Sequence, residues 1–383
     1  PKTCAERVTS IEEEAPLLRL KPGPVVRHEF LYLGFQLFVA DRGHAPFFFI
    51  LVHDPASDLV DLDLADAFGA FQAEELVDPV CHTIGAALVR YGVDIVSFTG
   101  SPATGRAVLE EAAETLTPTI LELGGKDAMV VLDDADVVEA AKCAVWGATL
   151  LAGQTCISVE RVYVSRRVAS EFISAAEEAI DQLSIGSDDS RDIGPLIDPE
   201  QPGIIERQVD DAVAKGATVR RGGTRIKIGG GEYYQPTLLI GVDHSMEVMQ
   251  TETFGPVLAV MEVPDEATAL RLADDSGYGL HGSVWSGDKR RAARLAAQAD
   301  TGTVAVNDHL INAFIPGVPV GGIKDSGFGL QLGPEGLRAF CHAKSITLPR
   351  LIATTRLLLG WRWMPRRVGP RYWKALARAL FRW

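Results

Sequence analysis

Leu121-Glu122-Leu123-Gly124-Gly125-Lys126 is the stretch that decides the fold of this 383-residue chain. An apolar strand ends there in a carboxylate, and a Gly-Gly turn follows at once. Glycine lets the backbone turn sharply and approach other groups closely. A carboxylate buried at that point has a raised pKa, which suits a general base near neutral pH. The alternative, weighted equally, is a loop carboxylate paired with Lys126.

The sequence on both sides of this stretch alternates between short β-branched runs and helical stretches. Strands are predicted at residues 94–98, 119–123, 128–132, 161–164, 257–263 and 303–306, and helices at 105–116, 135–151, 169–183 and 265–275. This alternation is typical of an α/β protein with a parallel sheet. A surface loop with a hairpin turn at 229–231 is predicted within residues 220–232. Residues 1–83 show no sustained period and remain unassigned.

The composition predicts a folded protein of two domains. The length exceeds what one hydrophobic core supports, and 47% hydrophobic with 23% charged residues is ordinary for globular proteins. A formal net charge of −14 disfavours a nucleic-acid partner, because phosphate contact needs a basic face. The five cysteines form no close pair and no metal-ligand spacing. They predict reduced thiols in the cytoplasm and no metal site.

A second motif, Phe98-Thr99-Gly100-Ser101-Pro102-Ala103-Thr104-Gly105, lies where an apolar strand passes into a helix. Glycine allows close backbone approach, and the N–H groups and dipole of the helix favour an anion such as pyrophosphate. Taken alone, such a turn is more often structural than functional.

Two further motifs carry candidate chemistry. Cys156 lies on the small-residue loop Gly153-Gln154-Thr155-Cys156-Ile157, and a thiolate is a strong nucleophile. An isolated cysteine is more often a small core residue, and Cys4, Cys81, Cys143 and Cys341 are interpreted so. Glu252-Thr253-Phe254-Gly255-Pro256 sets an acid and an aromatic ring before a strand. A plain helix-to-strand turn explains its Gly-Pro equally well.

In this order, and followed by Val306-Asn307 and Val320-Gly321-Gly322-Ile323-Lys324-Asp325-Ser326-Gly327, the four motifs resemble the aldehyde dehydrogenase superfamily over residues 84–348. The resemblance implies an α/β fold with a Rossmann-like cofactor-binding domain and an α/β catalytic domain. It assigns residues 84–124 to part of the dinucleotide-binding domain and 125–325 to the catalytic domain. Residues 326–349 become a return segment with an oligomerisation arm, with 1–83 unassigned and 350–383 a tail.

The resemblance also implies roles for single residues. Cys156 attacks the aldehyde to give a thiohemiacetal and then a thioester, and Glu122 activates the hydrolytic water. The implied cofactor is NAD or NADP, without a readable preference. The implied cofactor-binding residues are Gly100, Ser101 and Gly105 at the pyrophosphate, Leu123 beside them, Glu252 at the nicotinamide ribose and Phe254 at the ring.

One family feature has no counterpart in the sequence. Members carry, upstream of the glycine turn, an asparagine that helps to bind the oxyanion, whereas no asparagine precedes Asn307 here. Losing one such donor costs about 10² to 10³ in turnover. The alternatives are therefore an impaired remnant that serves as a binding module or subunit, and an esterase that uses the same thiol.

The last predicted feature is a basic aromatic tail. Residues 350–383 contain nine Lys or Arg and no Asp or Glu. As a helix, Pro370–Trp383 would separate its cations from most of its aromatic residues, which suits either an anionic membrane interface or, the favoured alternative, packing on protein. The expected partners are an aldehyde substrate and further copies in a homodimer or homotetramer. The expected location is the cytoplasm, with peripheral membrane contact left open.

Overall fold

The computed structural model describes residues 85–90, 92–188 and 190–346, together with the backbone of two short strands upstream. The chain divides into two compact units, residues 1–340 and 341–383. In the second unit the described residues 341–346 contain no helix or strand. The remainder of the predicted arm and the whole basic tail lie outside the described residues.

A five-stranded sheet carries the glycine turn and Glu122. Its order is β1 (Leu37–Phe38), β2 (Phe47–Phe49), β3 (Val96–Thr99), β4 (Thr119–Glu122) and β16 (Gly327–Phe328). Strands β3 and β4 are parallel, joined by helix α1 (Pro102–Thr115), and their register pairs Thr99 with Glu122. Parallel strands end at the same edge, so the glycine turn and the carboxylate are neighbours.

A seven-stranded, mostly parallel sheet forms the larger part of the first unit. Its strands are β5 (Asp127–Val131), β6 (Val159–Ser165), β7 (Thr218–Arg221), β10 (Thr237–Ile240), β11 (Val257–Val263), β13 (His281–Trp285) and β14 (Thr303–Val306). The order is β14-β13-β5-β6-β11-β10-β7, and only β7 is antiparallel to its neighbour.

Helices cover both faces of this sheet. The helices are α2 (Val137–Thr149), α3 (Ala169–Asp181), α4 (Gln201–Ala214), α5 (Glu266–Asp274) and α6 (Lys289–Ala296). Alternate residues of β5 face opposite sides, as the pleat requires. Met129 and Val131 pack in the core with α2 and α3, whereas Val130 packs in the core with α4, α5 and α6. Burial on both faces explains why these strands are almost continuously apolar.

The remaining elements are short. They include helical residues 85–90, the hairpin of β8 (Arg225–Ile228) and β9 (Gly231–Tyr234), the antiparallel pair β12 (Tyr278–Gly279) and β15 (Ile323–Lys324), helix α7 (Gly333–Ala339), and 3-10 turns at Leu150–Gly153, Glu247–Met249 and Ile311–Phe314. Within the described ranges, no helix has the length and hydrophobicity needed to cross a bilayer.

All the predicted strands and helices are present, with ends shifted by up to three residues. The prediction of a surface loop at 220–232 was wrong, because β7 and β8 occupy much of it, but its hairpin turn is confirmed by the positive φ of Gly229 and Gly230. Two short strands lie within residues 1–83, which the sequence left unassigned, and β2 pairs with β3. Helix α1 begins at Pro102 because Ser101 caps it, accepting a hydrogen bond from Thr104 N.

Candidate active site

Three loops meet at the predicted site: the Gly-Gly turn, the cysteine loop and the acid-aromatic loop. Gly125 N donates to Glu252 Oε1 at 2.9 Å. A Cβ on Gly125 would lie 2.1 Å from the carbonyl oxygen of Cys156, and one on Gly153 would lie 2.2 Å from the backbone of Gly255. These distances leave no room for a side chain. The glycines therefore allow the three loops to touch one another.

Glu122 ends β4 with a carboxyl group that is almost fully enclosed. The residue is 8% exposed, and its Oε1 has no hydrogen-bond partner. Burial raises the pKa of Glu122 to about 7. Lys126 is not the partner of Glu122, because its buried ammonium pairs with Glu160 instead. The alternative of a loop carboxylate paired with Lys126 was therefore wrong.

Cys156 occupies a tight turn that Ser158 N closes onto Thr155 O at 3.1 Å. The residue keeps part of its surface accessible. Burial nevertheless raises the pKa of the Cys156 thiol to about 12, and the carboxyl groups of Asp127, Glu252 and Glu122 raise it further. The resting sulfur is thus a thiol within electrostatic reach of three carboxyl groups. It needs a proton acceptor before it can act as a nucleophile.

The acid-aromatic loop is anchored by Glu160 of β6, which was not among the predicted site residues. Thr253 N and Phe254 N donate to its carboxylate at 2.9 to 3.0 Å. This anchor supports Phe254 in a left-handed conformation with φ of 48°. Burial and the nearby Glu160 charge raise the pKa of Glu252 to about 8. The sequence signal that could have identified Glu160 is the presence of two charged residues, Glu160 and Arg161, within an otherwise apolar strand.

The glycine turn joins this assembly through the backbone of β4. Gly100 N donates to Glu122 O at 3.1 Å, and the Ser101 hydroxyl caps α1. Gly105 lies in the first turn of α1, where a Cβ would meet the buried Leu123 side chain at 2.7 Å. Gly105 therefore permits close packing of helix on strand, the role of the third glycine in dinucleotide-binding turns.

A buried serine from a distant part of the sequence holds the Gly-Gly turn. Ser326 is fully buried, donates to Gly124 O at 2.7 Å and accepts from Gly279 N at 3.0 Å. Asn307, from the other late motif, has a structural role: its side-chain amide bonds both backbone groups of Ser286 at 2.9 Å. Among the described residues, no group of three or more His, Cys, Asp and Glu is arranged to hold a metal ion.

Curated relatives support the resemblance. The 4,4'-diapolycopene aldehyde oxidase of Methylomonas sp. is 44% identical over 261 residues, which cover 68% of this chain and 48% of that protein. A Mycolicibacterium smegmatis protein with the provisional name succinate-semialdehyde dehydrogenase (NADP+) is 39% identical over 272 residues, 70% of this chain and 52% of its own. The chain spans about half the length of the curated relatives that it matches.

Solved structures agree with the predicted fold class. Betaine aldehyde dehydrogenase from Staphylococcus aureus, in complex with NAD+, superimposes with a TM-score of 0.65 at 36% identity, covering 71% of this chain and 55% of that one. Lactaldehyde dehydrogenase from Escherichia coli gives a TM-score of 0.64 at 34% identity, with coverages of 67% and 54%. The Rossmann-like α/β prediction is confirmed. The comparisons lend no support to the non-catalytic alternative.

The sequence model of the Aldehyde dehydrogenase family matches residues 72–346. The match begins twelve residues before residue 84, the position at which the sequence motifs placed the start of the resemblance. With well over half of the chain matched, and with the three loops assembled as described, this chain belongs to the aldehyde dehydrogenase family.

Proposed function

We propose that the chain oxidises an aldehyde to a carboxylic acid with NAD+ or NADP+, with Cys156 as nucleophile and Glu122 as base. The observation that carries the proposal is the buried carboxyl of Glu122, whose Oε1 has no hydrogen-bond partner and which lies within electrostatic reach of the Cys156 thiol. Relatives named for aldehyde oxidation and for NADP+, and a related structure with NAD+, support it.

In the first step the thiol must lose its proton as the sulfur attacks the aldehyde carbon. Glu122, with a pKa raised to about 7, is ionised in part at neutral pH and accepts that proton. A C–S bond forms, and the carbonyl π electrons move onto oxygen. The backbone N–H of Cys156 donates to that oxygen. Since no asparagine occurs in residues 1–306, this sequence supplies no second donor of the kind that the family uses.

The residues present fit a dinucleotide. Gly100 opens the backbone at the start of a 14-residue helix, where N–H groups and the helix dipole favour a pyrophosphate. Glu252 is the candidate for the nicotinamide ribose and Phe254 for the edge of the ring, with Ser101, Gly105 and Leu123 shaping the turn. When bound, the dinucleotide supplies the acceptor for the hydride that leaves the thiohemiacetal carbon.

Glu122 releases the thiol proton to solvent before the second half of the reaction, which again depends on its carboxylate. The thioester on Cys156 is hydrolysed by a water that gives its proton to the Glu122 carboxylate. The C–S bond then breaks, the carboxylic acid leaves and the thiol takes back a proton. A base with a pKa near 7 can accept and release protons in both halves of this cycle.

Several wider expectations stay proposals. They are the division at residues 124 and 325, the return segment at 326–349, homodimer or homotetramer assembly and a cytoplasmic location. The aldehyde is proposed only as a class, because the similar proteins are named for 4,4'-diapolycopene aldehyde, succinate semialdehyde and betaine aldehyde.

The test follows the absorbance of reduced nicotinamide while the full chain is offered a panel of aldehydes with each dinucleotide. Cys156→Ala should abolish turnover, and Glu122→Gln should reduce it by about 10² or more, because both proton transfers lose their base. Cys143→Ala is the matched control, since this half-buried thiol lies on α2 outside the site. Equal loss in the control, or undiminished turnover in Cys156→Ala, would contradict the proposal.

A further inference from the structure

A buried cluster of two histidines and two hydroxyl groups lies behind the cysteine loop. His281 begins β13 and bonds Thr303 Oγ1 of β14 through Nδ1 at 2.7 Å. His309 bonds Ser283 Oγ through Nδ1 at 2.9 Å and the carbonyl oxygen of Ile157 through Nε2 at 3.1 Å. His281 Nε2 bonds the backbone carbonyl of His309. The cluster therefore reaches the residue that follows Cys156.

The partners fix the tautomer of both rings. A carbonyl oxygen can only accept, so Nε2 carries the proton in His281 and in His309. Each Nδ1 then accepts from a hydroxyl group, that of Thr303 or that of Ser283. Burial lowers the pKa of His281 to about 4 and that of His309 well below its ordinary value. Both rings are neutral, and His309 presents a fixed N–H donor to Ile157.

This donor completes the attachment of the Cys156–Ser158 segment. The Cys156 carbonyl lies against Gly125, and Ser158 Oγ donates to Gly147 O at 3.2 Å. Between these two points the Ile157 carbonyl has the His309 ring as its partner. Without that bond the part-buried Ile157 carbonyl would lack a hydrogen-bond donor, and the segment would move toward water to recover one.

We propose that His309 is a positioning residue for the Cys156 thiol, acting through its hydrogen bond to the Ile157 carbonyl. The bond keeps the sulfur within reach of the site carboxyl groups and away from bulk water. Its catalytic consequence rests on the proposed function, whereas its effect on the thiol does not.

The groups around His309 do not require its imidazole ring to carry a charge. Asp127 Oδ2 is 4.0 Å from Nε2, is buried and has no hydrogen-bond partner, while its Oδ1 accepts from His281 N at 3.1 Å. Burial raises the pKa of Asp127 well above its ordinary value, which disfavours a carboxylate charge beside the neutral ring. Asp308, the residue before His309, lies close enough for its charge to raise the pKa values of His281 and Cys143. The ring thus works as a rigid donor.

The experiment measures the rate at which iodoacetamide alkylates Cys156, relative to the exposed Cys341 in the same molecule, by mass spectrometry of the full chain. In His309→Leu the freed segment should carry the sulfur away from the carboxyl groups and lower its pKa. A fall of about one pKa unit raises the thiolate fraction, and hence the rate, by roughly tenfold.

Two variants separate the donor from mere packing. His309→Gln sets an amide N–H near the position of Nε2 and should return the relative rate to that of the wild type. Thr303→Val removes a bond of the same cluster without touching Ile157, and should leave the rate unchanged. The proposal is overturned if His309→Leu alkylates like the wild type, if His309→Gln fails to restore the rate, or if Thr303→Val changes it as much.

Two further readings complete the test. If His309→Leu does not fold, as judged by its thermal melt, Ser283→Ala decides, since it removes the hydroxyl bond to Nδ1 that holds the ring against the Ile157 carbonyl. Faster alkylation of Cys156 in this variant supports the proposal, and an unchanged rate overturns it. Should the wild type oxidise no aldehyde, the proposed function fails and alkylation still decides the role of His309. With an active wild type, kcat should fall in His309→Leu while KM for the dinucleotide stays constant.

Discussion

Replacing Glu122 by glutamine should stabilise the protein while removing its base. In the folded state the pKa of Glu122 rises from 4.5 to about 7 because the carboxylate is buried. The fold therefore disfavours the ionised form, and stability is lost as pH rises from the unfolded value through the folded one. At about 1.4 kcal/mol per pH unit, this difference corresponds to about 3 kcal/mol above pH 8. Glutamine has no charge and escapes the loss.

The assay is urea unfolding of the wild type and Glu122→Gln across a range of pH. The advantage of the variant should grow from below about 1 kcal/mol near pH 5 to about 3 kcal/mol near pH 8.5. Glu114→Gln, an exposed residue of α1 with the same change of charge, is the control and should show little trend. Parallel stability curves for the wild type and Glu122→Gln would refute the reasoning, because the carboxyl would then not be buried as a base must be.

Two other substitutions test how the loops are held. Glu160→Gln leaves the buried Lys126 ammonium without its counter-charge and should cost about 3 to 5 kcal/mol in urea unfolding, and a cost below about 1 kcal/mol would contradict the pairing. Gly125→Ala forces a methyl group against the Cys156 carbonyl and should lower aldehyde turnover at least roughly tenfold. The control is Gly203→Ala in α4, where the space around the Cα is open. This variant should keep its activity, and its free energy of unfolding, measured by a thermal melt, should rise by about 0.5 to 1 kcal/mol.

The sequence predicted those parts of the site that depend on local pattern. The strand ending at Glu122 was predictable because an apolar run stops at a Gly-Gly turn, and the cysteine loop because small residues flank it. The partner of Lys126 was not, since the carboxylates nearest to it along the chain are Asp127 and Glu122, whereas the actual partner, Glu160, lies 34 residues away on the next strand. Contacts across a sheet follow strand order, which one sequence does not display.

Central strand β13 was missed for a different reason. It reads His281-Gly282-Ser283-Val284-Trp285, with little of the β-branched character that marks a strand. Small residues are needed there because β13 is enclosed by β5 and β14, and a Cβ on Gly282 would lie 3.1 Å from Ala128 O. Tertiary crowding therefore outweighs local propensity, and it also hides the histidine cluster behind Cys156.

The bond from Ser326 to the Gly-Gly turn spans 202 positions along the chain. During synthesis, a ribosome has made the thiol and its base long before it makes the serine that locks the turn between them. We expect a chain cut before residue 326 to bind dinucleotide weakly and to turn over no aldehyde, which titration and assay of that truncation would check. The active site is then completed only late in translation, so that an unfinished polypeptide does not react with aldehydes before its site is assembled.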